Sequence, residues 1–447
     1  MTARRTLKII WLVLAFLFIA TSLYEGYLVI PGVSNHSVFS ILQRAFLILA
    51  PAAVIYAIWR GERTGLFSLV VLTGWLIIVG LTFLAFSPHT YYYEYYVWSQ
   101  IGGYLLVLTL WVLGRYRRWF YSVVMAAIPI YVIATIILSI YEIATAHHLP
   151  QSREGGPHPT HIPTAFYYDP NNLGTAIALI LPFVVLLGIV IKNRGMVWLS
   201  MILSLFMVYV LYKSGSRGGE LALIIDLIVL AVVLPRPYRR IAQVLLAAGV
   251  LVFAGLIVAL QAAPHNAQLP FALQKIAHIV HLFGAPRQAP GPGSVTIREA
   301  LYLSGWHGLL THPWGMGPRG AERYYRYWLT HHSPYNTYGI IDAHNMWLEV
   351  AMDFGFPGLI LYVSFYVSLL IGLIRLLKQS SPWFQYYAAA GLAALIGFIL
   401  GSLSPSSVMI GFNVMWMVYG ISLGAFVLAH HQTTELPRYQ FRSKKIF

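Results

Sequence analysis

Apolar runs of about 20 residues recur along the whole chain, each long enough to cross the roughly 30 Å hydrocarbon core of a bilayer. They fall at 8–30, 39–59, 65–87, 95–114, 119–144, 172–191, 196–213, 218–234, 241–262, 356–374, 383–404 and 408–430. The expectation is an all-α polytopic membrane protein with about twelve transmembrane helices. With 58% hydrophobic and 10% charged residues, the composition excludes an ordinary soluble domain. The first run follows Arg4, Arg5 and Lys8 as a secretory signal would, but it is too long and lacks a small-residue cleavage site, so it counts as a helix.

A net charge of +15 raises nucleic acid as a partner, and the placement of the charges argues against it. If the N-terminus is cytoplasmic, 19 of the 29 Lys and Arg residues fall in inner loops and tails, as the positive-inside rule expects. Helix count and orientation then support each other, with both termini cytoplasmic. The longest interruption, residues 263–342, becomes a large, partly helical periplasmic loop between helices 9 and 10. The organisation expected is helices 1–9 in 1–262, the loop domain in 263–342, helices 10–12 in 343–430 and a basic cytoplasmic tail in 431–447. No cysteine is present, which excludes disulfides, thiolate metal sites and a cysteine nucleophile.

Several outer segments have side chains suited to chemistry. Tyr91, Tyr92, Tyr93, Tyr95 and Tyr96 crowd the second outer loop, and an interfacial aromatic belt accounts for them as well as sugar contact does. Asp169-Pro170-Asn171 reads as a turn entering a helix, with the Asn side chain as the cap and the helix end favouring anions. Lys213 and Arg217 flank a Ser and Gly turn, where the charge rule expects no cation. Arg217 at a helix start opposes the dipole, so the alternatives are a salt bridge to Glu220 or an anion clamp suited to phosphate oxygens. Arg44 and Asp226 lie inside apolar runs, either as a structural pair, as two separately satisfied groups, or as a proton or ion path.

Within the loop, Leu269–Leu282 reads as a short amphipathic helix containing Lys275, and 286–293 as a Pro and Gly connector. The next segment has helical spacing and places Arg298 and Tyr302 on one face at i, i+4, with Ile297, Leu301 and Trp306 available to pack beneath them; Glu299 is an alternative partner for Arg298. Basic and aromatic residues interleave from Glu322 to Trp328, a pattern equally suited to sugars, phosphates or headgroups. His344 is a candidate general base. The pairs His331-His332 and His307/His312 lack a carboxylate at ligand spacing, so no metal site is expected.

His344-Asn345, nine residues and then Gly355-Phe356-Pro357-Gly358 resembles the signature of bacterial O-antigen ligases. The Asp169 turn, the Ser216-Arg217-Gly218-Gly219 turn and the run from Arg298 through Trp306 and His312-Pro313 to Gly317 are similar to segments of the wider ligase and polymerase superfamily, which is GT-C-like. The resemblance implies transfer of O-antigen polysaccharide from undecaprenyl diphosphate to a sugar hydroxyl of lipid A-core, at the periplasmic face of the inner membrane. It implies His344 as general base, with Arg217, Arg298, Lys213, Asn345 and Tyr302 binding the diphosphate or substrate. Direct attack on the anomeric carbon inverts it. The partners expected are donor, acceptor and membrane lipids, with no cofactor, metal or nucleic acid. An O-antigen polymerase and a protein O-oligosaccharyltransferase share the donor and remain alternatives, as does a transporter using Arg44 and Asp226. Arg287, Arg319, Arg323 and Arg326 compete with Arg298 for its role.

Overall fold

The computed structural model describes residues 3–24, 38–191, 193–234, 294–331, 340–379 and 381–440, with a few positions between 239 and 251. Among them there is no strand. Thirteen α-helices are described: α1 (Ala3–Ser22), α2 (Val38–Trp59), α3 (Leu66–Phe86), α4 (Tyr91–Leu113), α5 (Arg117–Thr145), α6 (Pro170–Ile191), α7 (Arg194–Ser214), α8 (Arg217–Val233), α9 (Ser294–Thr311), α10 (Gly320–His331), α11 (Met346–Leu376), α12 (Pro382–Gly401) and α13 (Asn413–Gln440). Nine described helices have the length and composition to cross a membrane, so the chain is a multi-pass membrane protein. Two further apolar runs form α1 and the 17-residue α8. The run at 241–262, the Leu269–Leu282 helix, the 286–293 connector with Arg287, and His332 lie largely or wholly outside the described residues.

Backbone amides and carbonyls cannot be left open in lipid, so the apolar runs become helices and their small and aromatic residues set the packing. α12 runs between α6 and α8, α13 lies along α4, and α11 lies along α3. Trp75, Trp111, Trp416, Tyr362 and Tyr419 are buried in one continuous core. α9 and α10 have a smaller core of their own, where Ile297, Leu301, Ala321 and Tyr325 close over Met352 of α11. Trp306, expected to pack there, is 55% exposed and contributes nothing to that core.

Two expectations about the bundle change. The runs at 383–404 and 408–430 are separated by a real loop, residues 402–412, because α12 ends at Gly401 and α13 starts at Asn413. Ser, Pro and Gly are only mildly polar by hydropathy, and an averaging window passes over them. Arg44 and Asp226 form no pair. Arg44 lies exposed on α2, while Asp226 is buried on α8 beside Gly397 with neither carboxylate oxygen hydrogen-bonded among the described residues.

Candidate active site

The loop at 402–412 is where distant parts of the sequence meet. Ser404, near its start, touches three helix starts. Its hydroxyl donates to Asn171 Oδ1 on α6 at 3.1 Å. At the start of α8, a Cβ on Gly218 would stand 2.2 Å from Ser404 Cβ, so only glycine admits the loop there. Its carbonyl accepts from His344 Nδ1 at 3.0 Å, and the Ser402 carbonyl accepts the first amide of α11, Met346 N–H, at 3.1 Å. The N-termini of α6, α8 and α11 thus converge on one loop. Each brings the positive end of a helix dipole, which favours an anion nearby, although the first amides of α6 and α11 are already taken by caps.

α6 begins at Pro170, so Asp169 occupies the cap position instead of the expected Asn. Asp169 Oδ1 accepts from the amides of Asn171 at 2.6 Å and Asn172 at 3.3 Å. Its second oxygen accepts from Arg153 at 3.1 Å and from the Ser406 hydroxyl at 2.8 Å. Ser216 caps α8, accepting from Gly219 N–H at 3.2 Å. Arg217 follows it, exposed.

Arg298 comes from the other side. Ile297 and Leu301 are buried and fix the facing of α9, so Arg298 and Tyr302 point together towards His344 and Arg217. The Tyr302 hydroxyl donates to the His344 carbonyl at 3.3 Å. Burial lowers the Arg298 pKa from its ordinary value, and the like charge of Arg217 lowers it further, against the opposing pull of Tyr302 and Asp169. No ion pair to Glu299 forms. Two guanidinium groups from separate helices therefore share one field, with no carboxylate in an ion pair with either among the described residues. Burial raises the Tyr302 hydroxyl in turn, opposed by Arg298.

His344 adopts φ 47°, in the left-handed region, at a cost of about 1–2 kcal/mol for a residue with a Cβ. Three contacts hold it there: the Tyr302 hydroxyl on its carbonyl, the Ser404 carbonyl on Nδ1, and Asn345, whose side chain caps α11 by accepting from Trp347 and Leu348 amides at 3.1 and 3.2 Å. A carbonyl can only accept, so Nδ1 bears the hydrogen and Nε2 has the lone pair of a base. The structure thus brings His344, Tyr302, Arg298 and Arg217 together. Asn345 adjoins them but spends its oxygen on the helix cap. Lys213 lies exposed in the last turn of α7, its ammonium 5.8 Å from the Tyr209 ring, and nothing ties it to Arg298.

The competing arginines of the loop have structural partners. Arg319 pairs with Glu322 at 3.0 Å and stacks on Tyr92 at 3.5 Å; Arg326 pairs with Glu322 at 3.1 Å; Arg323 donates to the carbonyls of Phe86, at 2.9 Å, and Met316.

The two glycine motifs explain each other. Gly355 has φ 67° and kinks α11, opening its backbone to the 313–317 turn. Met316 and Gly317 amides bond the Asp353 carbonyl at 3.1 and 2.8 Å, and the Phe356 amide bonds the Pro313 carbonyl at 2.9 Å. A Cβ on Gly355 would lie 2.4 Å from that same Pro313 oxygen. The signature spacing from His344 to Gly355 therefore spans the first turns of α11, with His344 at one end and the docking point of the loop at the other.

Sequence reasoning missed Glu349 and Asp353 on those turns. Both are buried beside a small cavity also lined by Asp342, Glu322 and Arg319. Asp353 accepts the amides of Arg319 and Ala321 at 3.0 and 2.8 Å, capping α10, and Glu349 accepts the Ser407 hydroxyl at 2.7 Å. Burial raises the Asp342 carboxyl, with His344 and Arg319 opposing. Among the described residues, no group of three or more His, Cys, Asp or Glu side chains could hold a metal ion.

Comparison with known proteins bears directly on this site. Residues 202–363 match the O-antigen ligase family. The matched segment contains Lys213, Arg217, Arg298, Tyr302, His344, Asn345 and the kink at Gly355, so the resemblance drawn from these motifs holds. The chain is also 26% identical, over 364 residues, to the teichuronic acid biosynthesis protein TuaE of Bacillus subtilis (strain 168). That similarity covers 78% of this chain and 69% of the relative. The chain is thus similar to the O-antigen ligase family over residues 202–363 and, over most of its length, to a protein of teichuronic acid biosynthesis.

Proposed function

We propose that this protein transfers a glycan from a polyprenyl diphosphate, undecaprenyl diphosphate in the O-antigen case, to a sugar hydroxyl at the outer face of the membrane. The acceptor expected from the ligase resemblance is lipid A-core, and the membrane is then the bacterial inner membrane with both termini cytoplasmic. The observation that supports this reading best is the Arg217 and Arg298 pair beside His344. Two like charges held together without a carboxylate partner among the described residues are unfavourable until an anion lies between them, and a diphosphate has the charge and the bidentate geometry to do so.

In this reaction the acceptor O–H adds to the anomeric carbon while the bond from that carbon to the diphosphate oxygen breaks. His344 Nε2 takes the hydroxyl proton, and Arg217 and Arg298 stabilise the charge gathering on the leaving diphosphate. Attack opposite the leaving group inverts the anomeric centre. No step in this scheme uses a metal ion or a cofactor.

The similarity to a teichuronic acid biosynthesis protein favours a second reading, a polymerase in which another lipid-linked glycan is the acceptor. Reconstitution with purified lipid-linked glycan separates the two: addition to lipid A-core makes a ligase, and chain growth without it makes a polymerase. Running the same assay in EDTA tests the metal-free scheme. If Asp226→Asn abolished function while His344→Ala left it intact, glycosyl transfer would be the wrong class of activity and transport the better one.

A further inference from the structure

At the end of the bundle away from His344, α3, α11 and α13 enclose a cavity of about 770 Å3, within the size range of ligand pockets. Arg63 and Arg375 stand at its mouth. Neither guanidinium is in an ion pair among the described residues. The one acid in that turn, Glu62, is turned away: its buried carboxylate bonds His431 Nε2 at 2.6 Å and the Thr64 amide at 3.0 Å. The cavity therefore retains two uncompensated positive charges.

Its wall is of the opposite kind. Phe67, Val367 and Ile371 are exposed along the sides of α3 and α11, facing the region that lipid occupies. Phe426 packs against Gly372, where a Cβ would come within 2.3 Å of its ring. The floor is drawn together by a 2.8 Å hydrogen bond between Ser68 and Ser368. Cations at the rim over an apolar slot between spanning helices match a lipid with an anionic headgroup, which a soluble anion would leave half filled.

We propose that this cavity binds an anionic glycerophospholipid, with its phosphate between Arg63 and Arg375 and one acyl chain along Phe67, Val367, Ile371 and Phe426. The site is at the opposite end of α11 from His344, and the proposal is independent of the glycosyl-transfer reading.

The test is native mass spectrometry of the full chain in nonionic detergent, offered phosphatidylglycerol or phosphatidylcholine. The wild type is expected to retain phosphatidylglycerol about thirtyfold better than phosphatidylcholine, the scale of two headgroup-cation contacts at roughly 1 kcal/mol each. Arg63→Gln/Arg375→Gln loses that preference and Arg63→Lys/Arg375→Lys keeps most of it. Ile371→Trp, which narrows the slot and leaves the charges in place, lowers retention of both lipids. Equal retention of the two lipids by the wild type overturns the proposal, as does undiminished phosphatidylglycerol on the Gln variant. Displacement by millimolar inorganic phosphate also overturns it, since the site would then be one for free anions. Should the Gln variant fail to fold, the Lys and Ile371→Trp variants still decide the matter.

Discussion

His344 Nδ1 donates to the main-chain oxygen of Ser404 at 3.0 Å, across 60 residues of sequence. That bond fixes which nitrogen of the ring is free, and it ties the free nitrogen to the loop on which α6 and α8 also converge. His344→Ala should reduce transfer about 10²- to 10⁴-fold, the usual contribution of a general base. Ser404→Ala leaves the carbonyl in place and loses one neutral hydrogen bond, to Asn171, so its effect should stay within about fivefold. A radiolabelled-glycan transfer assay compares them, and similar losses for both would refute the base assignment.

Arg217 and Arg298 are expected to act on the same group. Each Ala variant should lower kcat/KM for the lipid-linked donor by about 10- to 100-fold, corresponding to the roughly 1.5–3 kcal/mol of a charged hydrogen bond. The double variant should lose less than the product of the two, because removing one arginine also relieves repulsion on the other. Strict multiplicativity would mean that they bind different groups.

Gly218→Val introduces a branched side chain where Ser404 Cβ already stands 2.2 Å from an added carbon. Backbone must move, parting the start of α8 from the loop that holds His344. A fall in thermal midpoint together with a loss of transfer of more than tenfold is expected, about 1–3 kcal/mol for overpacking a tight contact. Wild-type activity in this variant would show that the two elements need not touch.

Asp353 caps α10 from another helix, accepting two of its first amides. Asp353→Ala should loosen the 313–331 segment by roughly 1–3 kcal/mol, the penalty for buried amides left unsatisfied. Faster amide hydrogen exchange over residues 316–325, with little change in α12, is the expected readout.

Glu62 should give the other end of the bundle an acid-sensitive joint. Burial alone would raise its carboxyl, but the bonds from His431 and Thr64 outweigh it and hold the folded pKa at about 2, below the ordinary 4.5. A depressed carboxylate pKa stabilises the fold fully above 4.5, and that contribution is lost as pH falls towards about 2. The destabilisation caused by Glu62→Gln should therefore be present at pH 7 and shrink through this window. A stability difference independent of pH would show that the His431 contact contributes nothing.

Much of this was legible in the chain before any folding. The apolar runs, the i, i+4 placement of Arg298 and Tyr302, and the spacing of His344 to Gly355 are local patterns, and local patterns survive in a linear text. The break after 404 was legible but the full extent of the 402–412 loop was not, because its serines and glycines barely lower the hydropathy of the runs beside it. The Asn cap was misplaced for a related reason: Pro170 takes the first helical position, which moves the capping role back to Asp169.

By itself, the sequence determined that the chain must be a bundle of spanning helices, since helices satisfy their own backbone groups in lipid and continuous apolar runs of about 20 residues lack the alternation of a barrel strand. It also supplied the residue types needed for anion binding and proton transfer. Only the tertiary structure decided which arginine faces Arg217, because Arg298, Arg319, Arg323 and Arg326 have the same chemistry and differ only in their neighbours. Three of them are committed to Glu322 or to the carbonyls of Phe86 and Met316. Arg298 lies in the field of Arg217, because the buried Ile297 and Leu301 turn that face of α9 towards His344.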